Sequence, residues 1–355
     1  MSISNLVEIL DRNRYKIFFN TLFFEITNKC NLNCLHCYNE SSSEKDEFLK
    51  IEDILSVIEG GKKYGLEKII LSGGEILLFK NIIDELETII NVTPKLGITV
   101  LTNGTMLSRS YISFFKKHNI NLQLSLDGYN AETNDYIRGV GNFDLTISKL
   151  EMIKQMDFND KTSINVVLNK INCNNIRDFY EIAQKFEIET LGFNFMNKMG
   201  RAKDNNLQMS NAQVCMVVNE IEKYIDKEGI IKKASRPTLN CRFTNPVNDT
   251  FFLTPLISSS GKIFLCEKLR YENSSIGNFQ DGLQSLFYGQ KFKNIISEIS
   301  MRKYKMTQCK NCIISSSCFG GCPAEEISES GDLMGYGNCE LYTELALRKL
   351  KMTLT

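Results

Sequence analysis

Cys30-Asn-Leu-Asn-Cys34-Leu-His-Cys37-Tyr38 closely follows Thr21-Leu-Phe-Phe-Glu-Ile-Thr27, in which alternating apolar side chains predict a β-strand. Three cysteines therefore lie together on one short loop at the end of that strand. Three thiolates at this spacing can hold three irons of a cubane cluster and leave the fourth iron open to a ligand. The stretch therefore predicts a reactive iron–sulfur site at the end of the first strand of the fold.

Structural zinc is the alternative for this loop. Zinc takes four protein ligands in such sites, and His36 is the only nearby side chain that offers a fourth. Because His36 stands between two of the cysteines, we expect its side chain to point away from them. The loop therefore favours an iron–sulfur cluster.

The composition of the 355-residue chain is that of a globular protein, with 43% hydrophobic and 24% charged residues. The formal net charge is zero, so neither nucleic acid nor an anionic membrane is an expected partner. We see no signal peptide and no apolar run of the ~18 residues that span a bilayer, and expect a cytoplasmic protein. Ten of the twelve cysteines fall into two compact patterns, which favours metal sites over disulfides.

Strand and helix patterns alternate from Thr21 to about residue 200. The predicted strands are 21–27, 67–72, 97–101, 122–126, 163–168 and 191–195, and the predicted helices are 51–65, 80–91, 108–118, 143–156 and one that includes 176–183. This alternation predicts an α/β fold with a parallel sheet, either a partial (β/α)6 TIM-like barrel or an open six-stranded sheet. In both architectures, sites form at the carboxyl ends of the strands.

The predicted barrel covers residues 21–205 and follows an N-terminal segment, residues 1–20, that is too short to form a recognition domain. A bridging helix is predicted within residues 206–234, and residues 235–355 form a second domain that ends in a C-terminal helix. Glycine and cysteine interrupt the apolar runs of this second domain, so we expect it to need its metals to fold.

Two of the predicted strands end in motifs that contain glycine. The second is followed by Gly73-Gly74-Glu75, whose glycines let the backbone approach a small ligand and whose carboxylate can accept from an ammonium group. The third ends in Thr102-Asn103-Gly104. Either motif alone is typical of an ordinary turn.

Polar side chains also follow the fourth predicted strand. Ser125 and Asp127 offer a hydroxyl and a carboxylate to a ribose, and Arg138 offers a cation to a carboxylate or takes part in a surface ion pair. Tyr38 can cover an adenine. Together with an open iron that chelates an amine and a carboxylate, these groups provide a partner for each part of S-adenosylmethionine (SAM).

The chain resembles the radical SAM superfamily over residues 20–200. The resemblance rests on the order of three motifs: CxxxCxxC followed by an aromatic residue, then Gly-Gly-Glu, then Ser-x-Asp-Gly. The resemblance implies a partial (β/α)6 barrel and a [4Fe–4S] cluster on Cys30, Cys34 and Cys37. It implies reductive cleavage of SAM to a 5′-deoxyadenosyl radical that abstracts hydrogen from a substrate. A reductant such as flavodoxin or ferredoxin would supply the electron.

The remaining clustered cysteines form the pattern C…GxxxxC…CxxCxxxxxCxxxC…C, which resembles the SPASM extension of radical SAM peptide maturases. The resemblance implies two auxiliary [4Fe–4S] clusters, and therefore three clusters in all. The nearer auxiliary cluster would be held by Cys241, Cys266 and Cys322, and the farther by Cys309, Cys312, Cys318 and Cys339.

Two auxiliary cubanes take eight thiolates, and the pattern supplies seven. The nearer cluster is therefore expected to have an open iron that can bind a substrate thiolate, an oxygen ligand such as Asp249, or Cys215 as a distant ligand. Zinc is again the alternative for the array.

Two residues are candidates for catalytic roles. Glu267 follows a cluster cysteine and can accept a proton during substrate oxidation, or is an ordinary solvated acid. Cys215 can donate hydrogen to a substrate radical, or is a small buried side chain, as is expected of Cys173. His118 is expected to be a surface residue at a helix end.

The sequence therefore predicts a radical SAM/SPASM maturase of a ribosomally made peptide, and the missing eighth ligand favours thioether crosslinking. Peptide Cα epimerisation, carbon–carbon crosslinking and formylglycine formation on a sulfatase are alternative reactions. An iron–sulfur electron carrier or scaffold is the non-enzyme alternative. A leader peptide would be recognised by a separate protein or by a sheet edge, or would not be needed.

Overall fold

The computed structural model describes residues 3–227, 247–318, 320–330 and 339–354. The chain divides into two compact units, each discontinuous in sequence. One consists of Met1–Phe23, Glu52–Glu67 and Thr238–Thr355, and is called the terminal unit because it contains both chain ends. The other consists of Phe24–Ile51 and Lys68–Pro237, and is called the central unit.

Most of the regular structure alternates between strand and helix. The strands are β1 (Lys16–Phe18), β2 (Thr21–Thr27), β3 (Lys68–Gly73), β4 (Gly97–Thr102), β5 (Asn121–Ser125), β6 (Thr162–Leu168), β7 (Thr190–Phe195), β8 (Thr250–Phe252), β9 (Leu256–Ile257), β10 (Lys262–Phe264) and β11 (Ser275–Asn278). The α-helices are α1 (Ile3–Asp11), α2 (Ile51–Lys62), α3 (Ile82–Val92), α4 (Arg109–Lys117), α5 (Ala131–Arg138), α6 (Asn142–Gln155), α7 (Ile176–Lys185), α8 (Asn211–Lys227), α9 (Leu283–Phe287), α10 (Gln290–Lys305), α11 (Thr307–Lys310), α12 (Ser315–Cys318), α13 (Pro323–Ser330) and α14 (Cys339–Leu354).

A parallel sheet forms the centre of the central unit. Strands β2 to β7 lie side by side in chain order, and the pairings from β3 through β7 are parallel. Within the described ranges β7 has a neighbouring strand on one side only, so the row of strands is open at that edge. The predicted α/β fold with a parallel sheet is confirmed.

The two faces of this sheet differ in burial. Leu122 and Leu124 of β5 are completely buried, and each such side chain contributes ~1.5–3 kcal/mol relative to an exposed one. The intervening Gln123 and Ser125 are only half-buried, and Ser125 is in register with Asn165 of β6. One face is therefore apolar core, and the other is polar and partly open.

Aromatic packing explains why three separate segments make up the terminal unit. The rings of Phe19 and Tyr64 stack with centroids 5.4 Å apart, and Tyr64 meets Phe287 edge-on at 5.2 Å. The Tyr15 ring stacks on Phe292, and its hydroxyl donates to the Phe287 carbonyl at 2.9 Å. In the same unit β1 pairs with β8 in parallel, and β10 pairs with β9 and β11 antiparallel.

Three differences from the sequence-based boundaries have physical causes. The N-terminal segment contains α1 and β1 and packs within the terminal unit, because its aromatic residues find partners far away in sequence. Helix α5 was not predicted, since its eight residues are too few for a clear periodic pattern. Helix α10 was also missed, although Phe292, Ile296 and Ile299 form a buried stripe at helical spacing.

Within the part of the chain that the structure describes, no helix is both long enough and apolar enough to cross a membrane.

Candidate active site

The loop that follows β2, residues 30–41 and here called the cysteine loop, contains three cysteines with mostly buried thiols. Cys30 and Cys34 are 7% and 8% exposed, and Cys37 is half-buried. Burial raises the pKa of the Cys30 thiol to about 11 and also raises the pKa of Cys34. Thiols must lose their protons to bind metal, so cluster assembly on this loop would release protons.

The donor set of the loop suits an iron–sulfur cluster. Such clusters are held by cysteine thiolates, and the loop supplies three of them. Thiol chemistry and loop position both fit a cluster held by Cys30, Cys34 and Cys37.

The glycines of the Gly73-Gly74-Glu75 motif pack against the backbone that leads into Cys30. Gly74 N donates to Thr27 O at 2.7 Å, and Glu75 N donates to Lys29 O at 2.8 Å. A Cβ on Gly74 would lie 2.0 Å from Lys29 O, and Gly73 has a φ of +143° that disfavours any side chain. The glycines thus permit a close backbone contact that fixes the start of the cysteine loop.

Glu75 is completely buried and joins the ends of β3 and β4. Its Oε1 accepts from Leu77 N at 3.0 Å and from Thr102 Oγ1 at 2.6 Å, and its Oε2 accepts from Asn103 N at 2.7 Å. Burial raises the pKa of Glu75, and these three hydrogen bonds oppose that shift. Both oxygens already have protein partners, so the assignment of Glu75 to an ammonium ligand stays a prediction.

Asn103 connects the end of β4 to the cysteine loop, a contact that the sequence did not reveal. Its Nδ2 donates to Asn31 Oδ1 at 3.1 Å and lies 3.8 Å from Cys30 Sγ. Asn31 Nδ2 in turn donates to Thr105 Oγ1 at 2.8 Å. The Thr-Asn-Gly motif therefore supports the first cysteine rather than forming a simple turn.

Asp127 lies at the centre of a buried ionic network at the end of β5. Its Oδ2 is 2.6 Å from Arg138 Nη2 and 2.5 Å from His36 Nε2, and its Oδ1 accepts from Val167 N at 2.6 Å. Burial alone would raise the pKa of Asp127, but Arg138 and His36 outweigh it and hold the pKa at about 2. The carboxylate is completely buried, so its proposed contact with a ribose remains a prediction.

His36 was considered in the sequence only as a fourth zinc ligand. In the structure its imidazole binds Asp127 and its side chain is 9% exposed. The sequence offered one signal for this role, the position of His36 on the loop that faces the strand ends. The histidine thus links the cysteine loop to β5.

Arg138 has one donor that no protein group satisfies. Its Nη2 pairs with Asp127, but its Nε is buried and has no hydrogen-bond partner within the described residues. The guanidinium is close enough to Cys34 and Cys30 to interact with both electrostatically. An orphaned, cationic donor beside the cysteine loop fits the carboxylate of a SAM molecule bound there.

The other two predicted SAM contacts are more accessible. Tyr38 is 42% exposed, and its hydroxyl donates to Glu25 Oε1 at 2.9 Å. Ser125 is half-buried on the polar face of the sheet. Both side chains can still be reached by a ligand, and their assignment remains a prediction.

The described cysteines of the terminal unit fall into two sets. Cys339 interacts electrostatically with Cys309, Cys318 and Cys312, and burial raises its pKa to about 11. Cys322 interacts with Cys266, and burial raises its pKa to about 12. The assignment of these cysteines to two auxiliary clusters stays a prediction, and Cys241 lies outside the described residues.

The remaining candidates are placed as follows. Cys215 on α8 and Cys173 are 2% and 3% exposed, as expected of small buried side chains. Glu267 is half-buried, and burial raises its pKa. Asp249 is exposed in the terminal unit. His118 caps α4 and is half-buried against Phe114, with ring centroids 4.5 Å apart, rather than lying free on the surface.

Comparison with known proteins gives a family match for the part of the chain that contains this site. Residues 24–183 match the family model described as the Radical SAM superfamily. The chain is 26% identical over 311 residues to the antilisterial bacteriocin subtilosin biosynthesis protein AlbA of Bacillus subtilis, a match that covers 84% of this chain and 66% of AlbA.

Two solved structures share the fold. SuiB of Streptococcus suis, bound to precursor peptide SuiA, matches with a TM-score of 0.74 at 18% identity, over 94% of this chain and 78% of SuiB. The anSMEcpe protein with bound AdoMet matches with a TM-score of 0.73 at 17% identity, over 94% of this chain and 99% of that chain. The chain therefore carries a radical SAM superfamily domain over residues 24–183, on the α/β fold that it shares with these proteins.

Proposed function

We propose that the chain is a maturase that modifies a ribosomally made peptide. The observation that carries this proposal is the convergence of the cysteine loop, the Arg138 guanidinium and the half-open polar sheet face in one unit. Two comparisons support a peptide substrate: AlbA takes part in bacteriocin biosynthesis, and SuiB binds a precursor peptide.

The cofactors of this proposal are a [4Fe–4S] cluster on Cys30, Cys34 and Cys37 and a SAM molecule beside it. When bound, the reduced cluster would supply the electron for SAM cleavage, the chemistry that would initiate hydrogen abstraction from the peptide. A small reductant, such as flavodoxin or ferredoxin, would deliver that electron.

The chain's own residues bind and orient these groups. Arg138 Nε holds the SAM carboxylate, while Asp127 fixes the guanidinium from its other side and keeps it charged. Tyr38 and Ser125 would contact adenine and ribose, and both side chains are accessible to a ligand. Glu75 holds β3 against β4, so that the backbone of Gly73 and Gly74 keeps its contact with the backbone that leads into the cysteine loop.

The peptide would meet the half-open face of the sheet. The side chains of Gln123, Ser163 and Asn165 on this face are polar and uncharged, and Gln123 is in register with Ser163. Such groups donate and accept hydrogen bonds without requiring a charged substrate. They suit the amides of a peptide main chain.

The specific reaction that we propose is thioether crosslinking, with auxiliary clusters in the terminal unit. Cys266 and Cys322, with Cys241, would hold one cluster and leave one ligand position for a substrate thiolate. The SPASM assignment of this region rests on its cysteine spacing and on the two sets of interacting thiols. A separate protein would recognise a leader peptide.

The test is to reconstitute the protein anaerobically and to measure 5′-deoxyadenosine from SAM with dithionite as the reductant. The Cys30→Ala/Cys34→Ala/Cys37→Ala variant should form none while retaining about two thirds of the iron, because three cubanes contain about twelve irons. Failure of the wild-type protein to cleave SAM would exclude the proposed function.

The bond that is formed can be read from a candidate peptide encoded beside this chain. A thioether product loses two hydrogens and one alkylatable thiol, whereas a carbon–carbon crosslink loses two hydrogens and keeps its thiols. Epimerisation leaves the mass unchanged. Any product of the latter two kinds would contradict the thioether proposal but not the peptide-maturase proposal.

A further inference from the structure

The short 3₁₀ turn Gly200–Lys203, which follows β7 in the central unit, binds the backbone of the cysteine loop. Arg201 Nε donates to Cys34 O at 2.9 Å, and Arg201 Nη2 donates to Ser41 O at 2.9 Å. The backbone N–H of Arg201 donates to Cys37 O at 3.0 Å. One residue therefore holds three carbonyls of the loop, two of them from predicted cluster ligands.

The neighbours of Arg201 complete this contact. Asn205 Nδ2 donates to Leu35 O at 3.0 Å and to Arg201 O at 2.8 Å. Gly200 has a φ of +53°, and a Cβ there would lie 2.5 Å from the carbonyl oxygens of Cys37 and Tyr38. The turn can thus approach the loop closely only with glycine at position 200.

The charge of Arg201 differs from that of the other nearby arginine. Arg138 is paired with the Asp127 carboxylate, so much of its charge is neutralised. The side chain of Arg201 binds only carbonyl oxygens and forms no ion pair with any carboxylate of the described residues. Its positive charge is therefore uncompensated beside Cys34.

We propose that Arg201 is a positioning residue that fixes the cysteine loop through its two-pronged guanidinium and raises the reduction potential of the cluster through its unpaired charge. This inference rests on the proposed function, because it assumes a cluster on Cys30, Cys34 and Cys37. An added electron makes the cluster more negative, so a nearby cation favours the reduced form. Arginine is required because lysine has the charge but not the fork geometry.

The two roles can be separated with two variants and a matched control. Arg201→Lys keeps the charge and loses the fork, and Arg201→Gln loses both. The control is Arg177→Gln on α7, whose side chain is 74% exposed and pairs only with Glu181 one turn away. Each holoenzyme is titrated with dithionite, and the EPR signal that changes on addition of SAM reports the cluster of interest.

We expect Arg201→Gln to shift the midpoint potential of that signal to a more negative value. Arg201→Gln and Arg201→Lys should both make the SAM-responsive EPR signal disappear roughly tenfold faster in the presence of an iron chelator, because charged hydrogen bonds to the cysteine loop are lost. Arg201→Lys should keep the wild-type potential, and Arg177→Gln should change neither quantity.

Asn205→Leu provides a second route if Arg201→Gln does not fold. It removes the hydrogen bond to Leu35 O without changing charge, so we expect faster loss of the signal at an unchanged potential. Wild-type potential and wild-type signal loss in all folded variants would overturn the inference, even if their melting temperatures fell. Absence of a SAM-responsive signal from the wild-type protein would instead indicate that the proposed function is wrong.

Discussion

His36 Nε2 lies 2.5 Å from Asp127 Oδ2, and this contact joins the cysteine loop to the end of β5. The same oxygen also contacts Arg138. A single carboxylate therefore positions both His36, which stands between two cysteines, and Arg138, which is proposed to bind the SAM carboxylate. Because the carboxylate is completely buried, removing its charge would leave both partners without compensation.

Asp127→Asn should lower the free energy of unfolding at neutral pH by about 2 kcal/mol or more, since the native pKa of about 2 lies below the ordinary aspartate value of 3.8. A depressed pKa stabilises the fold above about pH 4, and this contribution disappears as the pH falls towards 2. Urea denaturation at neutral pH measures the change. SAM binding should weaken in parallel, because Arg138 loses its anchor.

The matched control is Asp160→Asn, which alters an exposed carboxylate in the central unit. It should change the free energy of unfolding by less than about 0.5 kcal/mol. Equal stability of the Asp127→Asn and Asp160→Asn proteins would show that the buried network contributes nothing.

Glu75→Gln should destabilise the protein by roughly 1–3 kcal/mol, because an NH2 group in place of one carboxylate oxygen removes either the acceptor of Asn103 N or the shared acceptor of Leu77 N and Thr102 Oγ1. Thr102→Val removes one of the hydrogen bonds to Glu75 and the acceptor of Gly104 N, but the other two hydrogen bonds to Glu75 remain, so it should cost less. The free energy of unfolding of each variant tests this order of stability loss. The control is Glu87→Gln, which alters an exposed side chain.

The same Glu75 variant tests the sequence-based assignment to an ammonium ligand. If Glu75 acts through the strand ends, Thr102→Val should weaken SAM binding in proportion to its effect on stability. If the carboxylate contacts the SAM amine, Glu75→Gln should weaken SAM binding far more, relative to its loss of stability, than Thr102→Val does. Titration calorimetry with SAM distinguishes these outcomes.

The sequence pattern was sufficient to predict the parallel sheet, because the alternation of apolar and polar residues along a strand is a local property. Polar residues that follow the strands likewise pointed to the carboxyl ends of the strands as the place of the candidate site. The partners of individual side chains were not predictable in the same way. Arg201 and the carbonyl of Cys34 are 167 positions apart, and only the return of the chain after β7 brings them together. Neither residue type nor spacing carries that information.

The terminal unit illustrates the same limit. Tyr15, Tyr64 and Phe287 come from three segments, and each is unremarkable in its local sequence. Cysteine spacing predicts metal sites in this unit, since ligand residues recur in compact patterns. The aromatic packing of the unit depends on tertiary contacts that no local window contains.

Gly74→Ala should lower the iron content of the purified enzyme and its rate of SAM cleavage. The added Cβ would lie 2.0 Å from Lys29 O, a distance that requires the backbone before Cys30 to move. Iron analysis and 5′-deoxyadenosine formation measure the effect, and we expect SAM cleavage to fall by at least about tenfold.

Gly60→Ala is the control for that substitution. Gly60 lies in α2, where a Cβ would meet only the Leu283 side chain at 3.4 Å. Alanine is favoured over glycine in a helix by roughly 0.5–1 kcal/mol, so this variant should be at least as stable as the wild type. Normal iron content in Gly74→Ala would contradict the proposed backbone contact.

Tyr342→Phe should destabilise the terminal unit near the predicted auxiliary clusters. The Tyr342 hydroxyl donates to Glu325 Oε2 at 2.6 Å and accepts from Cys322 N at 3.3 Å, and the side chain is 1% exposed. Burial raises the pKa of Tyr342 well above its usual value, so the hydroxyl keeps its proton. Phenylalanine removes a partner from two polar groups, Cys322 N and the half-buried Glu325, which keeps only its contact with Lys268 at 3.8 Å among the ion pairs of the described residues, at a cost of roughly 1–3 kcal/mol.

Because Cys322 N is one of those two groups, the loss should extend to the metal site. We expect Tyr342→Phe to retain less iron than the wild-type protein after mild chelation, while the SAM-responsive EPR signal of the cysteine loop is unchanged. Tyr136→Phe is the control, since that side chain is 59% exposed on α5. Equal iron retention by both variants would mean that the Tyr342 hydroxyl supports helix packing alone and does not stabilise the cluster ligand next to it.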